Sequence, residues 1–302
     1  MKQFLAFVLV LFVVAIGFLL LNDGLVRVLV FSSSNANMYR MYRLFNASDD
    51  DLPILGSSRA EANFAPSEIG SKAFNYGLSG SPQGETIIHL KALLQRGHQG
   101  PIIVNLDPWG IGGLEPVQGD YRLVFSDLLR EANTIKGLDW TDRLAGLRFY
   151  GKLRTALADY INAKRSVTKA IDNGAILQRV SRSADGWKYI IEHCHPIDFT
   201  VNDVVMADYE KVLKGPHPPI IFVVSPISKP WYDRWHGQDQ LTKLIAKLKT
   251  FPNTCVIDLC THNVDSYDLD DFMDLTHLNE KGARRVSKEL KQKLIDLGVS
   301  CK

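Results

Sequence analysis

The sequence lacks most of the features that assign a protein at sight. Its 302 residues carry a formal charge of only +2, with 35 Lys and Arg against 33 Asp and Glu. A nucleic-acid-binding domain would show clustered basic residues on a much more basic chain, so no nucleic-acid partner is expected. Cysteine is scarce: Cys194, Cys255, Cys260 and Cys301, with no C-x-x-C pair. That excludes a zinc ribbon and a disulfide-dense scaffold. Cys255 and Cys260 read as small buried residues flanking a strand. No internal repeat and no low-complexity tract occurs, which excludes a solenoid and a disordered spacer. The "EHCH" stretch (192–195), taken as a strand, would put His193 and His195 on one face. Three ligands with useful geometry do not follow from it, so neither a metal nor a cofactor is expected.

Apolar residues make up 46% of the chain, enough for the core of one large α/β domain. Some of them form an uninterrupted run. From Phe4 to Leu21 there is no charge over 18 residues, the lower end of what spans a bilayer. The run is apolar on every face, unlike a core helix. The small-residue triplet "SNA" (34–36) is a poor cleavage site far from it. The expectation is an uncleaved anchor over 1–22 and a membrane-proximal linker over 23–50. Within the linker, "LVRVLVF" would lie at the membrane surface or form a strand. Lys2 and the free amine precede the span, which points the amino terminus to the cytoplasm. The chain would then be single-pass in the inner (cytoplasmic) membrane, its main domain, 51–302, in the periplasm or outside the cell.

Beyond Leu52 the pattern alternates. "LPIL" (52–55), "AFNY" (73–76), "PIIVNLD" (101–107), "PPIIFVVS" (218–225) and "CVIDL" (255–259) read as strands. Helical stripes intervene: Ile87, Leu90 and Leu94 ahead of Gly97, then Leu241, Leu244, Ile245 and Leu248, then Val286, Leu290 and Leu294. Strands apolar throughout, separated by amphipathic helices, mean a mostly parallel sheet covered on both faces, a three-layer α/β/α sandwich of about five strands. Residues from about 112 to 200 break the rhythm and read as a helical insertion. Ligands of such sheets sit beyond the carboxyl ends of the strands.

"ILGSSRA" (54–60) lies at such an end. Two readings compete: a loop with a helix cap, or a nucleophile at the strand edge. A serine nucleophile needs a base, and the base an orienting group. "DLTHLNEKG" (274–282) offers both, since Asp274 and His277 lie three apart on one turn or in a tight loop. The bland alternative makes Asp274 a helix cap and His277 a surface residue.

Three segments together resemble the SGNH (GDSL-like) hydrolase superfamily, over residues 52–297. "ILGSSRA" is similar to its first block, with Ser58 at the nucleophile position and Ser57 where Asp is usual. "FNYGLSGSPQGE" is similar to the second, matching Gly80 to a main-chain oxyanion donor. "DLTHLNEKG" is similar to the last, giving Asp274 and His277. The resemblance implies a flavodoxin-like SGNH fold, catalytic Ser58, His277 and Asp274, and an oxyanion hole from the Ser58 and Gly80 amides. The pattern departs after the third strand, where "NLDPWGIGG" has no Asn in the donor place. Asp107 could donate there only if protonated. Arg59 and Asp107 are further candidates for substrate binding, and Trp109 and Trp231 for stacking on sugars. Packing is the commoner fate of tryptophan.

The anchor and the "GSSR" variant resemble envelope polysaccharide O-acyltransferases and the teichoic-acid D-alanyl transfer protein. That resemblance implies an acylated or acyl-accepting glycan substrate and a multispanning membrane O-acyltransferase as partner. Two alternatives remain: an esterase releasing the acyl group to water, and a non-catalytic partner of a membrane enzyme.

Overall fold

The structure is a computed structural model. It describes residues 1–31, 39–40, 43–44, 51–80, 83–111, 154, 157–158, 160–161, 169–180, 182–196, 198–261 and 264–299. Contacts divide the chain into two compact units: Met1–Tyr42 with Pro116–Ser166, and Arg43–Glu115 with Val167–Lys302.

In the first unit, helix α1 (Lys2–Phe31) is the principal described element. Its stretch Lys2–Val26 is long and apolar enough to cross a membrane, with a mean hydropathy of 3.2 in an 18-residue window. At 1.5 Å per residue its 30 residues extend about 45 Å. "LVRVLVF" is neither a strand nor a separate surface segment. It continues the same helix to Phe31, since no Pro or Gly interrupts it after Gly24.

The second unit is an α/β fold. Its elements in chain order are β1 (Leu52–Leu55), α2 (Ser58–Asn63), α3 (Pro66–Ile69), β2 (Ala73–Asn75), α4 (Gln83–Gln95), β3 (Ile102–Leu106) and β4 (Gly110–Ile111). There follow β5 (Lys169–Asp172), β6 (Ala175–Gln178), α5 (Ala184–His193), β7 (Thr200–Val201), α6 (Asp203–Lys214), β8 (Ile220–Val224), α7 (Lys229–Tyr232), α8 (Gln238–Leu248), β9 (Thr254–Asp258) and α9 (Glu280–Asp296). Five strands form one sheet in the order β2-β1-β3-β8-β9, every pair parallel. β1, β3 and β8 are buried along their whole length, as expected of parallel strands covered on both faces. The order reverses direction beside β1, the place where such sheets bind ligands.

Two parts of the expected helical insertion differ. Residues 169–178, inside that insertion, are not helix: β5 and β6 form an antiparallel hairpin. Its turn, with Asn173 at φ 42° and Gly174 at φ 89°, accepts a hydrogen bond from Asn75 N at the edge of β2. The "EHCH" stretch, read above as a strand, is instead a helix end. Glu192 and His193 end α5, and Cys194 is its C-cap. Residues 112–153, 155–156, 159, 162–168, 181 and 197 of the expected helical insertion lie outside the described residues. Cys194, Cys255 and Cys260 are free thiols.

Candidate active site

β1 runs into Gly56, whose φ of +148° suits glycine. A Cβ there would stand 2.7 Å from Ala60 Cβ and 3.1 Å from Asn105 Cβ. The chain can therefore turn from strand into α2 only without a side chain at 56. The two serines take different places. Ser57 is the N-cap of α2, accepting from Arg59 N. It also donates to Asp107 Oδ1 at 2.9 Å. Ser58 begins the helix, part-exposed, with Oγ 2.9 Å from His277 Nε2.

His277 arrives from a tight loop after β9, and that loop is built around Asp274. Asp274 Oδ1 accepts from Thr276 N and His277 N, each at 2.8 Å. Its Oδ2 lies 2.9 Å from His277 Nδ1. Met273 N donates to His277 O, and residues 272 and 278 form a bridge that closes the loop. Asp274 does not cap the last helix. Asn279 does so, accepting from Gly282 N. Burial works to raise the Asp274 pKa, but the His277 ring and the two main-chain donors outweigh it and hold the carboxyl at about 2. As a carboxylate it only accepts, so it fixes the proton on Nδ1 and leaves Nε2 to accept from Ser58.

The loop after β2 lies alongside. Leu78 N donates to Gly56 O, and a Cβ on Gly77 would be 2.5 Å from Glu61 N. Gly80 follows, exposed, with φ +79° and open space on its side-chain side. Among the described residues, no hydrogen bond occupies the main-chain N–H of Ser58 or Gly80.

Two expected substrate contacts are corrected. Arg59 is fully buried. Its guanidinium donates to the carbonyls of Thr276 at 3.0 Å and of Ser225 and Pro226 at 2.8 Å each. Burial lowers its pKa, opposed by the charges of Asp107 and Asp274. Asp107 is 1% exposed and accepts from Ser57 Oγ and Asn105 Nδ2. Both groups are engaged inside the protein because a charge in that interior needs fixed partners. Trp231 is buried in α7, a packing residue. Trp109 is half-buried in the turn between β3 and β4, its ring centre 5.9 Å from Arg59 Cζ.

Asn63 went unnoticed in the sequence. It is fully buried, accepts from Leu278 N at 2.8 Å and donates to Ser225 Oγ at 3.0 Å. Its position four residues after Arg59, hence on the same helix face, was the available signal. On the flank of the His277 loop, an open depression of about 600 Å3 lies against Arg182, Trp187, Lys188, Ile191, Glu192 and Asp270.

No protein-family model and no curated protein matches the chain. Among solved structures it is similar to a candidate acylhydrolase from Bacteroides fragilis, at 11% identity over 84% of this chain and 90% of that one, with a TM-score of 0.36. It is also similar to a protein described as a candidate platelet activating factor from Streptococcus pneumonia, at 13% identity over 88% and 94%, with a TM-score of 0.37. What the site can do follows from its own geometry.

Proposed function

We propose that this chain is a membrane-anchored, SGNH-like serine esterase or O-acyltransferase acting on O-acyl groups of a cell-envelope polysaccharide or related glycopolymer. The observation that carries this reading is the unbroken line Ser58 Oγ–His277 Nε2 and His277 Nδ1–Asp274 Oδ2, each step 2.9 Å, at the strand edge where such sheets bind ligands.

Ser58 Oγ attacks the carbonyl carbon of an ester or thioester while its proton passes to His277 Nε2. Asp274 stays ionised and stabilises the imidazolium. The oxyanion takes hydrogen bonds from Ser58 N and Gly80 N. The intermediate collapses, and the departing alcohol or thiol takes the proton from His277. A sugar hydroxyl, or water, then attacks the acyl-serine while His277 accepts its proton. The second collapse frees Ser58 and releases the new ester or acid. Trp109 offers its ring to the sugar. The helix over 2–26 holds the domain at the membrane, beside a multispanning acyltransferase partner.

Asp107 stands where a side-chain donor to the oxyanion would, and Ser57 occupies it. Loss of one such donor costs about 100- to 1,000-fold in rate. That observation favours one second reading, a non-catalytic partner of a membrane enzyme.

Fluorophosphonate labelling of the full chain in detergent, read by intact mass, decides between them. The expected result is one label on wild type, none on Ser58→Ala or His277→Ala, and labelling slowed about 10,000-fold in Asp274→Asn, whose amide no longer enforces the Nδ1–H tautomer. A folded wild type that takes no label overturns the catalytic reading.

A further inference from the structure

The 2.9 Å contact between Ser58 and His277 joins two side chains 219 residues apart in sequence. Neither local segment sets that distance. α2 fixes Ser58, and the Asp274 turn fixes His277 within its own loop. Something must register one against the other.

Two side chains on one face of α2 do so. Arg59 Nε donates to Thr276 O, the residue before His277, at 3.0 Å. Asn63 Oδ1 accepts from Leu278 N, the residue after it, at 2.8 Å. The main chain on both sides of the histidine is thus held by the helix whose first residue is Ser58. The same two side chains also grip the exit of β8: Arg59 Nη2 donates to Ser225 O and Pro226 O, and Asn63 Nδ2 to Ser225 Oγ. Both are 0% exposed, so water does not compete for these bonds. Arginine suits its place because a planar guanidinium meets three carbonyls at once, where an ammonium is a single point of charge.

We propose that Arg59 and Asn63 form a bracket that sets the register of Ser58 against His277, acting as positioning residues for acyl transfer. This rests on the reading of Ser58 and His277 as nucleophile and base. Neither residue touches substrate. Each acts through the carbonyl or amide flanking the base.

The test compares Arg59→Met, Arg59→Lys and Asn63→Leu with Ser287→Ala in the full-length protein in detergent. Ser287 is a matched control: its Oγ accepts from Ala65 N at 2.7 Å, tying the same segment to α9 without touching the His277 loop. Fluorophosphonate inactivation is measured across reagent concentrations. In it the Ser58 Oγ–P bond forms, the P–F bond breaks, fluoride leaves, and the serine proton passes through His277 to water. The maximal rate should fall about 100-fold in Arg59→Met and Asn63→Leu, the loss expected of a misplacement near 1 Å. Half-saturation should stay unchanged. Arg59→Lys should recover part of the rate, and Ser287→Ala should keep it. Folded bracket variants that react at the wild-type rate overturn the proposal. So does an equal rate loss in Ser287→Ala at equal loss of stability. If Arg59→Met does not fold, Arg59→Lys and Asn63→Leu decide.

A wild type that takes no label sinks the catalytic reading but not the bracket. Crystal structures of the variants then decide, read at the 2.9 Å contact of Ser58 Oγ with His277 Nε2. Its opening in Arg59→Lys and Asn63→Leu with retention in Ser287→Ala supports the bracket. Retention in every variant overturns it.

Discussion

Ser57 and Ser58 are chemically alike and adjacent, yet the helix start gives them opposite environments. Ser57, in the cap position, has its hydroxyl committed to Asp107 and its lone pair to Arg59 N. Ser58 faces the part-exposed imidazole of His277. Removing the Ser57 hydroxyl deletes a helix cap and a partner of a buried carboxylate, without touching Ser58. Ser57→Ala should therefore lower stability by about 1–3 kcal/mol, read by urea denaturation, while still taking one fluorophosphonate label at Ser58. A label lost with the fold intact would assign Ser57 the chemistry instead. The Ser58, His277 and Asp274 candidates were legible because a nucleophile, a base and its orienter are recognisable residue types. The buried fates of Arg59 and Asp107 were not, because charge in a sequence reads as surface until packing places it.

At the scale of elements, the five sheet strands were readable to within two residues, since strands buried on both faces are continuous apolar runs. The short elements were not. β4 and β7 hold two residues each, too few for any periodicity, and they pair only because the chain returns to the same edge. Gly110 makes that return close. Its φ is +94°, and a Cβ would lie 1.9 Å from Thr200 O. Gly110→Ala should destabilise the domain by about 2 kcal/mol or more and, by opening the β4–β7 pair, expose Trp109. Denaturation midpoints and Trp fluorescence check this, and an unchanged midpoint would refute it. The β5–β6 hairpin was missed for a related reason. Its strands are short, and its register is set by the positive-φ turn at Asn173 and Gly174 docking on β2, not by a pattern within "KAID".

For the whole molecule, buried His89 and part-buried Asp274 contribute to the response to acid. Burial pushes His89 down to about 4 from 6.5. It stays neutral when folded but binds a proton when unfolded, so stability falls as pH drops from 6.5 to 4, by up to about 1.4 kcal/mol per pH unit. Asp274, held at about 2 against 3.8, removes further stability as pH drops from 3.8 to 2. Urea midpoints between pH 7 and 4.5 should decline in wild type and decline less in His89→Gln. Parallel curves would show that His89 is not the cause. The apolar helix makes a separate prediction. Deleting residues 2–26 should move the protein from the membrane fraction to the soluble fraction. Retention of the truncated chain in carbonate-washed membranes would count against α1 as the anchor.

Sequence by itself determined the apolar span, the parallel strands, the glycine before the serines and the Asp-x-x-His loop. Each is encoded locally, by run length, periodicity or backbone conformation. Tertiary structure alone decided which serine faces the histidine, where Asp107 points, and that Arg59 and Asn63 clamp the chain on both sides of His277. Those outcomes depend on contacts between residues 50 to 219 positions apart, and no local propensity specifies a distance across a fold.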